Sequence, residues 1–248
     1  METSSSAVNS VLVMTGTIKP FVQVSHNNPE ERLREYIQAI RKYILESAFR
    51  TIIFAENSGY LFDASELHQL AKDNNKELII LSLVDSGVNN MSSGEAVLMK
   101  RVLEECPFLH DDDVLWKVTG RLWISNVNKI CQKHTKRTNL FLYSRQYDSI
   151  QTWFFCARIS DLKKYFLSSE TVEVMRRGCI EYAWMDCFKK HKSIEIDRFK
   201  IYPNVVGVRS SGQAYTMSHI KYRMCQLLLH FGLFTVSRKR PPRNRDGL

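Results

Sequence analysis

The chain reads as an α/β protein, a largely parallel central sheet with helices on both faces and a more helical C-terminal portion. Three observations predict this. Short apolar, β-branched runs alternate with helix-length amphipathic segments through the first 143 residues, the rhythm that parallel sheets covered by helices leave in a sequence. Polar, glycine-containing clusters follow those runs rather than precede them. No apolar stretch approaches the roughly 20 residues needed to cross a bilayer.

Taken in order, Val11 to Met14 is a buried strand followed by Thr15-Gly16-Thr17. A helix starts next: Asn28 caps, Pro29 suits the first position and Glu31 falls three residues after the cap. Leu33, Ile37, Ile40 and Ile44 recur at helical spacing and define its core face. Thr51 to Ala55 is a strand ending at Glu56-Asn57-Ser58, and a second helix covers 63–73. Glu77 to Val84 reads as a fully buried strand from its continuous apolar run. A loop over 85–93 leads to Gly94-Glu95, which opens a helix to Glu105. Val114 to Thr119 is the next strand, ending in Gly120-Arg121. A short helix over 127–134 precedes two strand-like segments, Asn139 to Tyr143 and Trp153 to Ala157.

Beyond these, Asp161 to Leu167 and a long segment from Glu170 to Phe188 read as helices, the latter with Val174, Ile180 and Trp184 on one face. Ile194 to Ile201 and Val205 to Arg209 read as strands. After Ser210-Ser211-Gly212 an amphipathic helix covers about 216–231. No internal repeat or low-complexity linker interrupts the chain, so residues 1–236 are expected to form one domain and 237–248 a tail.

Composition narrows the function classes. Hydrophobic content of 44% and charged content of 25% are ordinary globular values. Met1 to Ser10 lacks the features of a signal peptide, so a cytoplasmic location is expected. The six cysteines form no CxxC pair and read as free thiols of a reducing compartment. The seven histidines show no HxH or HExxH spacing, and the chain has no GxSxG, P-loop or GxGxxG. Those absences weaken zinc-enzyme, hydrolase, NTPase and dinucleotide readings.

The formal net charge is +9. Its most concentrated source is Ser237 to Leu248, SRKRPPRNRDGL, with five basic residues against one acid. Two adjacent prolines and no apolar face make this tail unable to insert as a helix. Five cations suit reversible adsorption to an anionic membrane surface, or simply solvation.

Ligands of open α/β sheets bind beyond the carboxyl ends of strands. Four polar clusters sit at such ends: Thr15-Gly16-Thr17, Glu56-Asn57-Ser58, Asp85 to Glu95, and Thr119-Gly120-Arg121. In a parallel sheet they converge on one rim. Within Lys117-Val118-Thr119-Gly120-Arg121, Lys117 and Thr119 alternate to one face, Gly120 permits close backbone approach, and Arg121 can clamp a diphosphate. A strand-end turn with a solvated arginine is the plainer alternative. Gly94-Glu95 either offers helix N–H groups to a phosphate or is an ordinary helix entry. Asp111-Asp112-Asp113 resembles a carboxylate cluster but precedes its strand, so a solvated turn is the expectation. Glu181 reads as a single base toward a hydroxyl, or as a surface glutamate; Asp186, five residues on, is off its face. Gly207 to Tyr215, GVRSSGQAY, binds a phosphate or turns the chain.

Several of these segments together resemble glycosyltransferase-like proteins encoded in O-antigen and capsule gene clusters of bacteria. They are TGTIKPF at Thr15 to Phe21, PEERLREYIQAIRKYI at Pro29 to Ile44, IIFAENSGYLFD at Ile52 to Asp63, Gly94-Glu95, WKVTGRLWISNVNKI at Trp116 to Ile130, and GVRSSGQAY. The resemblance implies a nucleotide-diphospho-sugar transferase fold of the GT-A kind. It also implies a nucleotide-sugar donor and a lipid-linked oligosaccharide acceptor, met on the inner face of the membrane by a peripheral enzyme. Donor contacts then fall to Thr15, Gly16, Thr17, Glu56, Asn57, Gly94, Glu95, Lys117, Thr119, Gly120 and Arg121, and the base to Glu181. One stretch departs from the resemblance: relatives carry an aspartate near the aromatic pair of the fifth strand, where this chain reads Ile150-Gln151-Thr152-Trp153-Phe154-Phe155. Without an Asp-X-Asp after a strand, no metal ligands are assigned. Cations at Lys117 and Arg121 are expected to steady the leaving phosphate, while Mn²⁺ or Mg²⁺ stays an open option. A nucleic-acid-binding module using the basic surface is the runner-up, without RNP-type or helix-turn-helix signals in the body. A non-catalytic scaffold of the same fold is the third reading.

Overall fold

Near-continuous apolar runs, buried on both faces, build the central strands, and the helices between them supply the covers. The computed structural model describes residues 11–21, 24–84, 91–134, 138–176, 179–208 and 212–237. Among these residues, ten strands and the helices between them follow the order β1 (Val11–Gly16), α1 (Pro29–Glu46), β2 (Thr51–Glu56), α2 (Ser65–Asp73), β3 (Glu77–Ser82), α3 (Met91–Glu105), β4 (Val114–Thr119), β5 (Leu122–Ile124) and α4 (Val127–Lys133). Then come β6 (Asn139–Ser144), β7 (Ser149–Arg158), α5 (Ile159–Asp161, running into a π-helical turn, Leu162–Phe166), α6 (Ser169–Arg176), α7 (Ile180–Lys190), β8 (Ile196–Asp197), β9 (Val205–Val208), β10 (Ala214–Thr216) and α8 (His219–His230).

The main sheet has seven strands in the order β3-β2-β1-β4-β7-β6-β8, and β10-β9-β5 form a second, three-stranded sheet. β1 pairs in parallel with both β2 and β4, placing Gly16 opposite Glu56 and Thr15 opposite Thr119. β7 is antiparallel to β4 and to β6, because residues 145–148 turn the chain straight back and leave no room for a crossover helix. The early residues of β7 therefore return to the rim at which β1 and β4 end.

Two cores flank the sheet. Leu12, Met14, Phe54, Trp116 and Phe154 face Tyr36, Ile40, Tyr43 and Ile44 of α1, with Leu67 of α2 and Ile130 of α4. Val11, Val13, Leu115 and Phe155 face Met99 and Val102 of α3 and Trp184 of α7. By strand alternation Thr15 and Lys117 belong to this second face.

α1 is capped as expected: Asn28 Oδ1 accepts from the amides of Glu30 at 3.0 Å and Glu31 at 3.3 Å. Its inward face is rotated from the expected one. Arg32, Tyr36, Ala39, Ile40, Tyr43 and Ile44 are buried, while Leu33 and Ile37 are only partly so. A tyrosine and an arginine with internal partners outcompete two aliphatic residues for the core side.

Other elements differ from expectation for physical reasons. β3 is the edge strand of the sheet and is half-buried rather than fully covered. α3 begins at Met91, so Gly94 lies inside its first turn and not at its entry. The long segment over 170–188 is two helices, α6 and α7. The strand expected over 194–201 shrinks to Ile196–Asp197. Residues 214–216 pair with β9 as β10, so the last helix starts at His219, capped by Ser218. Among the described residues no helix is long and apolar enough to cross a membrane.

Candidate functional site

Strands β1, β2 and β3 step outward on one side of β1, and β4 lies on its other side. The order therefore reverses between β1 and β4, and in open α/β sheets a crevice opens at such a reversal, beyond the carboxyl ends of the strands. Thr15-Gly16-Thr17 and Thr119-Gly120-Arg121 occupy those ends, joined by the Gly120 amide donating to Thr15 O at 2.8 Å. Asn57 of the neighbouring β2 end accepts from Thr17 Oγ1 at 2.7 Å through its Oδ1.

The sheet face covered by α3 and α7 carries a polar chain through the rim. Lys117, in β4, is completely buried at 0% exposure. Its ammonium donates to Thr152 O at 2.8 Å and to Thr119 Oγ1 at 3.4 Å, and pairs with Glu95 of α3. Glu95 also accepts from Thr15 Oγ1 at 3.4 Å and keeps 23% of its side chain in solvent. On the far side, Thr152 Oγ1 donates to Glu181 Oε1 at 3.1 Å, and the Cys179 thiol donates to the other oxygen of Glu181. Two carboxylates from α3 and α7 are thus joined through the buried lysine and Thr152. Burial lowers the pKa of Lys117 from 10.5 to about 7, and Glu181 pulls it the other way. Asp186 is exposed, in keeping with its position off the Glu181 face.

The opposite side of the rim holds a cationic cluster on α1. Arg32 donates through Nε to Thr17 O at 2.8 Å, through Nη2 to the same oxygen at 2.5 Å, and through Nη1 to His26 O at 3.0 Å. Tyr36 OH accepts from the Thr17 amide at 2.9 Å. Arg121, 4% exposed, donates through Nη1 to Glu35 Oε2 at 3.0 Å and lies 5.8 Å from the centre of the Tyr36 ring. Its Nε has no hydrogen-bond acceptor among the described residues. His26 Nε2 stands 3.0 Å from Glu35 Oε1. Burial holds the Arg32 guanidinium below its ordinary value; Tyr36 opposes this and nearby Arg121 adds to it.

The residues singled out from the sequence therefore divide into three groups. Thr15, Glu95, Lys117, Thr119 and Glu181 come together in one network. Arg121 belongs to a second, with Glu35, and shares no partner with Lys117. Glu56 is a scaffold: fully buried, it accepts from the amides of Ile18 at 2.9 Å, Ser58 at 2.9 Å and Tyr60 at 3.1 Å, fixing the loops after β1 and β2. Gly120 is required by the protein itself, since a Cβ there would stand 2.8 Å from Thr15 O and 3.1 Å from Tyr36.

Segments of the late GVRSSGQAY motif that the structure describes close on this second cluster. Val208 N donates to Arg121 O at 3.4 Å, and a Cβ at Gly212 would meet His26 at 3.1 Å. Residues 209–211 lie outside the described residues, as do 85–90 of the loop before α3.

Sequence reasoning missed Arg32, Tyr36, Glu35, His26, Thr152 and Cys179. A signal existed for the first two: Arg32, Tyr36, Ile40 and Ile44 recur every four residues, a stripe as regular as the aliphatic one. Asp111 and Asp112 are exposed in a turn ahead of β4, and Asp111 pairs with Lys163 at 2.7 Å. Among the described residues no group of three or more His, Cys, Asp or Glu gathers into a metal donor set. The rim carboxylates are engaged, Glu95 by Lys117 and Glu56 by backbone amides, so they do not fit a divalent cation as placed, and no step is derived through one.

No family model matches the chain, and no curated protein matches it in sequence. Solved structures similar to it include a 4-diphosphocytidyl-2C-methyl-D-erythritol synthase, 10% identical, TM-score 0.46, covering 89% of this chain and 99% of that one. A Desulfovibrio desulfuricans G20 protein assigned to the nucleotide-diphospho-sugar transferases is 9% identical, TM-score 0.43, with coverage of 77% and 79%. The 4-diphosphocytidyl-2C-methyl-D-erythritol synthase of Anaerococcus prevotii DSM 20548 is 8% identical, TM-score 0.40, with coverage of 90% and 97%. At such identities and scores none of their activities is carried to this chain.

Proposed function

We propose that this chain is a glycosyltransferase that takes a sugar from a nucleotide-diphosphate donor. Its proposed acceptor is a lipid-linked oligosaccharide of surface-polysaccharide synthesis. The observation that carries the reading is the β1–β4 strand-order reversal, where the hydroxyls of Thr15 and Thr119 lie in one network with a carboxylate, Glu95, anchored by a buried lysine. Hydroxyls and one carboxylate suit the hydroxyl-rich sugar and ribose. Arg121, with a buried unused Nε, is the donor for phosphate oxygens once Glu35 gives way.

Chemically, the acceptor hydroxyl forms the new bond to the anomeric carbon as the bond from that carbon to the phosphate oxygen breaks. The electron pair leaves with the nucleoside diphosphate. The hydroxyl proton passes to a carboxylate of the network, Glu95 at one end or Glu181 at the other. Lys117 positions Glu95 through their ion pair. Glu95→Gln then retains donor binding and loses turnover by about a hundredfold or more.

A thermal-shift screen of nucleotide-diphospho-sugars tests the reading. One donor at about a hundred times its Kd should stabilise the protein by about 2.7 kcal/mol, and its sugar should be transferred or slowly hydrolysed. If no nucleotide sugar shifts the unfolding temperature, the transferase reading is wrong.

A further inference from the structure

Helix α8 has two apolar faces, and one of them is without a partner among the described residues. Leu229 is buried, Tyr222 and Cys225 pack on the core, and Gln226 accepts from the Tyr202 amide at 2.8 Å. These residues hold the helix to the protein. At about 100° per residue, Ile220, Met224 and Leu227, with Phe231 at the C-terminal cap, fall on the opposite side within an arc of about 60°. Their exposures are 75%, 59%, 57% and 71%, and Leu228 at 36% widens the stripe. Isolated exposed apolar residues are ordinary, but a continuous stripe marks an interaction surface.

Charge chooses the partner. Lys221 borders one edge of the stripe, and Arg223 borders the other, with both side chains exposed. From His219 to Arg245 the sequence has no Asp or Glu and carries seven Lys or Arg. An apolar strip rimmed by cations and free of acids matches a bilayer with anionic headgroups, where the strip enters the headgroup–acyl boundary and the cations stay at its level. Nucleic acid would use the cations and leave Ile220, Met224, Leu227 and Phe231 with nothing to cover them.

We propose that α8 is an interfacial docking surface for an anionic membrane, with Ile220, Met224, Leu227 and Phe231 immersed. Lys221 and Arg223 hold it electrostatically. This inference rests on α8 alone and is independent of the sugar-transfer reading.

Flotation with phosphatidylcholine vesicles, with and without phosphatidylglycerol, tests it on the full chain. The wild type should float with anionic vesicles and remain behind with neutral ones, and raising salt should weaken binding. Ile220→Glu with Leu227→Glu should reduce partitioning by about tenfold or more, with thermal midpoint and circular dichroism unchanged. Lys221→Ser with Arg223→Ser should lower it by roughly fivefold per cation and flatten the salt dependence. Equal binding by wild type and the Glu variant overturns the proposal, as does indifference to phosphatidylglycerol. A concentration-dependent dimer that the Glu variant dissolves without lipid assigns the face to a second copy instead. RNA that displaces the protein from vesicles, with affinity unmoved by the Glu variant, also overturns it.

Discussion

Replacing Lys117 by Met is the sharpest perturbation of the buried network, because it removes one titrating group and keeps most of its volume. The ammonium is fully buried, and burial lowers its pKa from 10.5 to about 7. Below about pH 7 the native and unfolded chains both hold the proton, so the cost of burying the charge is present in full. Between about 7 and 10.5 the unfolded chain binds more protons than the native one, so stability rises with pH at about 1.4 kcal/mol per unit, up to about 5 kcal/mol in all. Met cannot titrate, so this rise is absent from the variant. Urea unfolding of both proteins across the alkaline range measures the difference. The stability of wild type relative to Lys117→Met should climb by about 1.4 kcal/mol per pH unit between about pH 8 and about pH 9.5. A flat difference, or one falling with pH, would refute the buried, readily deprotonated lysine.

Gly120→Ala brings a methyl group against Thr15 O and the Tyr36 ring; thermal unfolding should show a loss of about 1–3 kcal/mol, and calorimetry a loss of donor binding. Arg121→Ala removes the buried partner of Glu35; it should cost about 3 kcal/mol of stability, and donor affinity should fall by about tenfold or more, read by calorimetry. With no metal ligands assigned at the rim, turnover should persist in EDTA. Complete loss restored by Mn²⁺ or Mg²⁺ would return attention to the carboxylates, Glu95 first.

Much of the frame was legible because single elements carry their own signals. The apolar runs at 11–14 and 114–119 and the Asn28 cap appear in the structure as read. What escaped depends on partners distant in sequence. β5 is three residues long and exists because β9, about 80 residues later, pairs with it. The inward turn of Arg32 needs the Thr17 carbonyl and Tyr36 as partners, which periodicity alone does not display. β3 looked fully buried from composition, yet its apolar character serves an edge position. At the site, Lys117 and Thr119 were legible as strand-end residues on one face, and Thr15 as part of the same rim. Their union with Glu95 and, through Thr152, with Glu181 was not, because it depends on β7 returning antiparallel to the same rim. Likewise α8 was readable as amphipathic, but its second apolar face shows only once the first is seen to be docked.

Under the proposed function a nucleotide sugar binds where β1 and β4 part. Hydrogen–deuterium exchange with and without the donor found by the thermal screen tests it most directly. Exchange should slow in peptides covering 15–18, 56–60 and 117–121 and the first turns of α3 and α7, with α8 unchanged. Protection confined to other segments, with those rim peptides exchanging as fast as in the free protein, would contradict it.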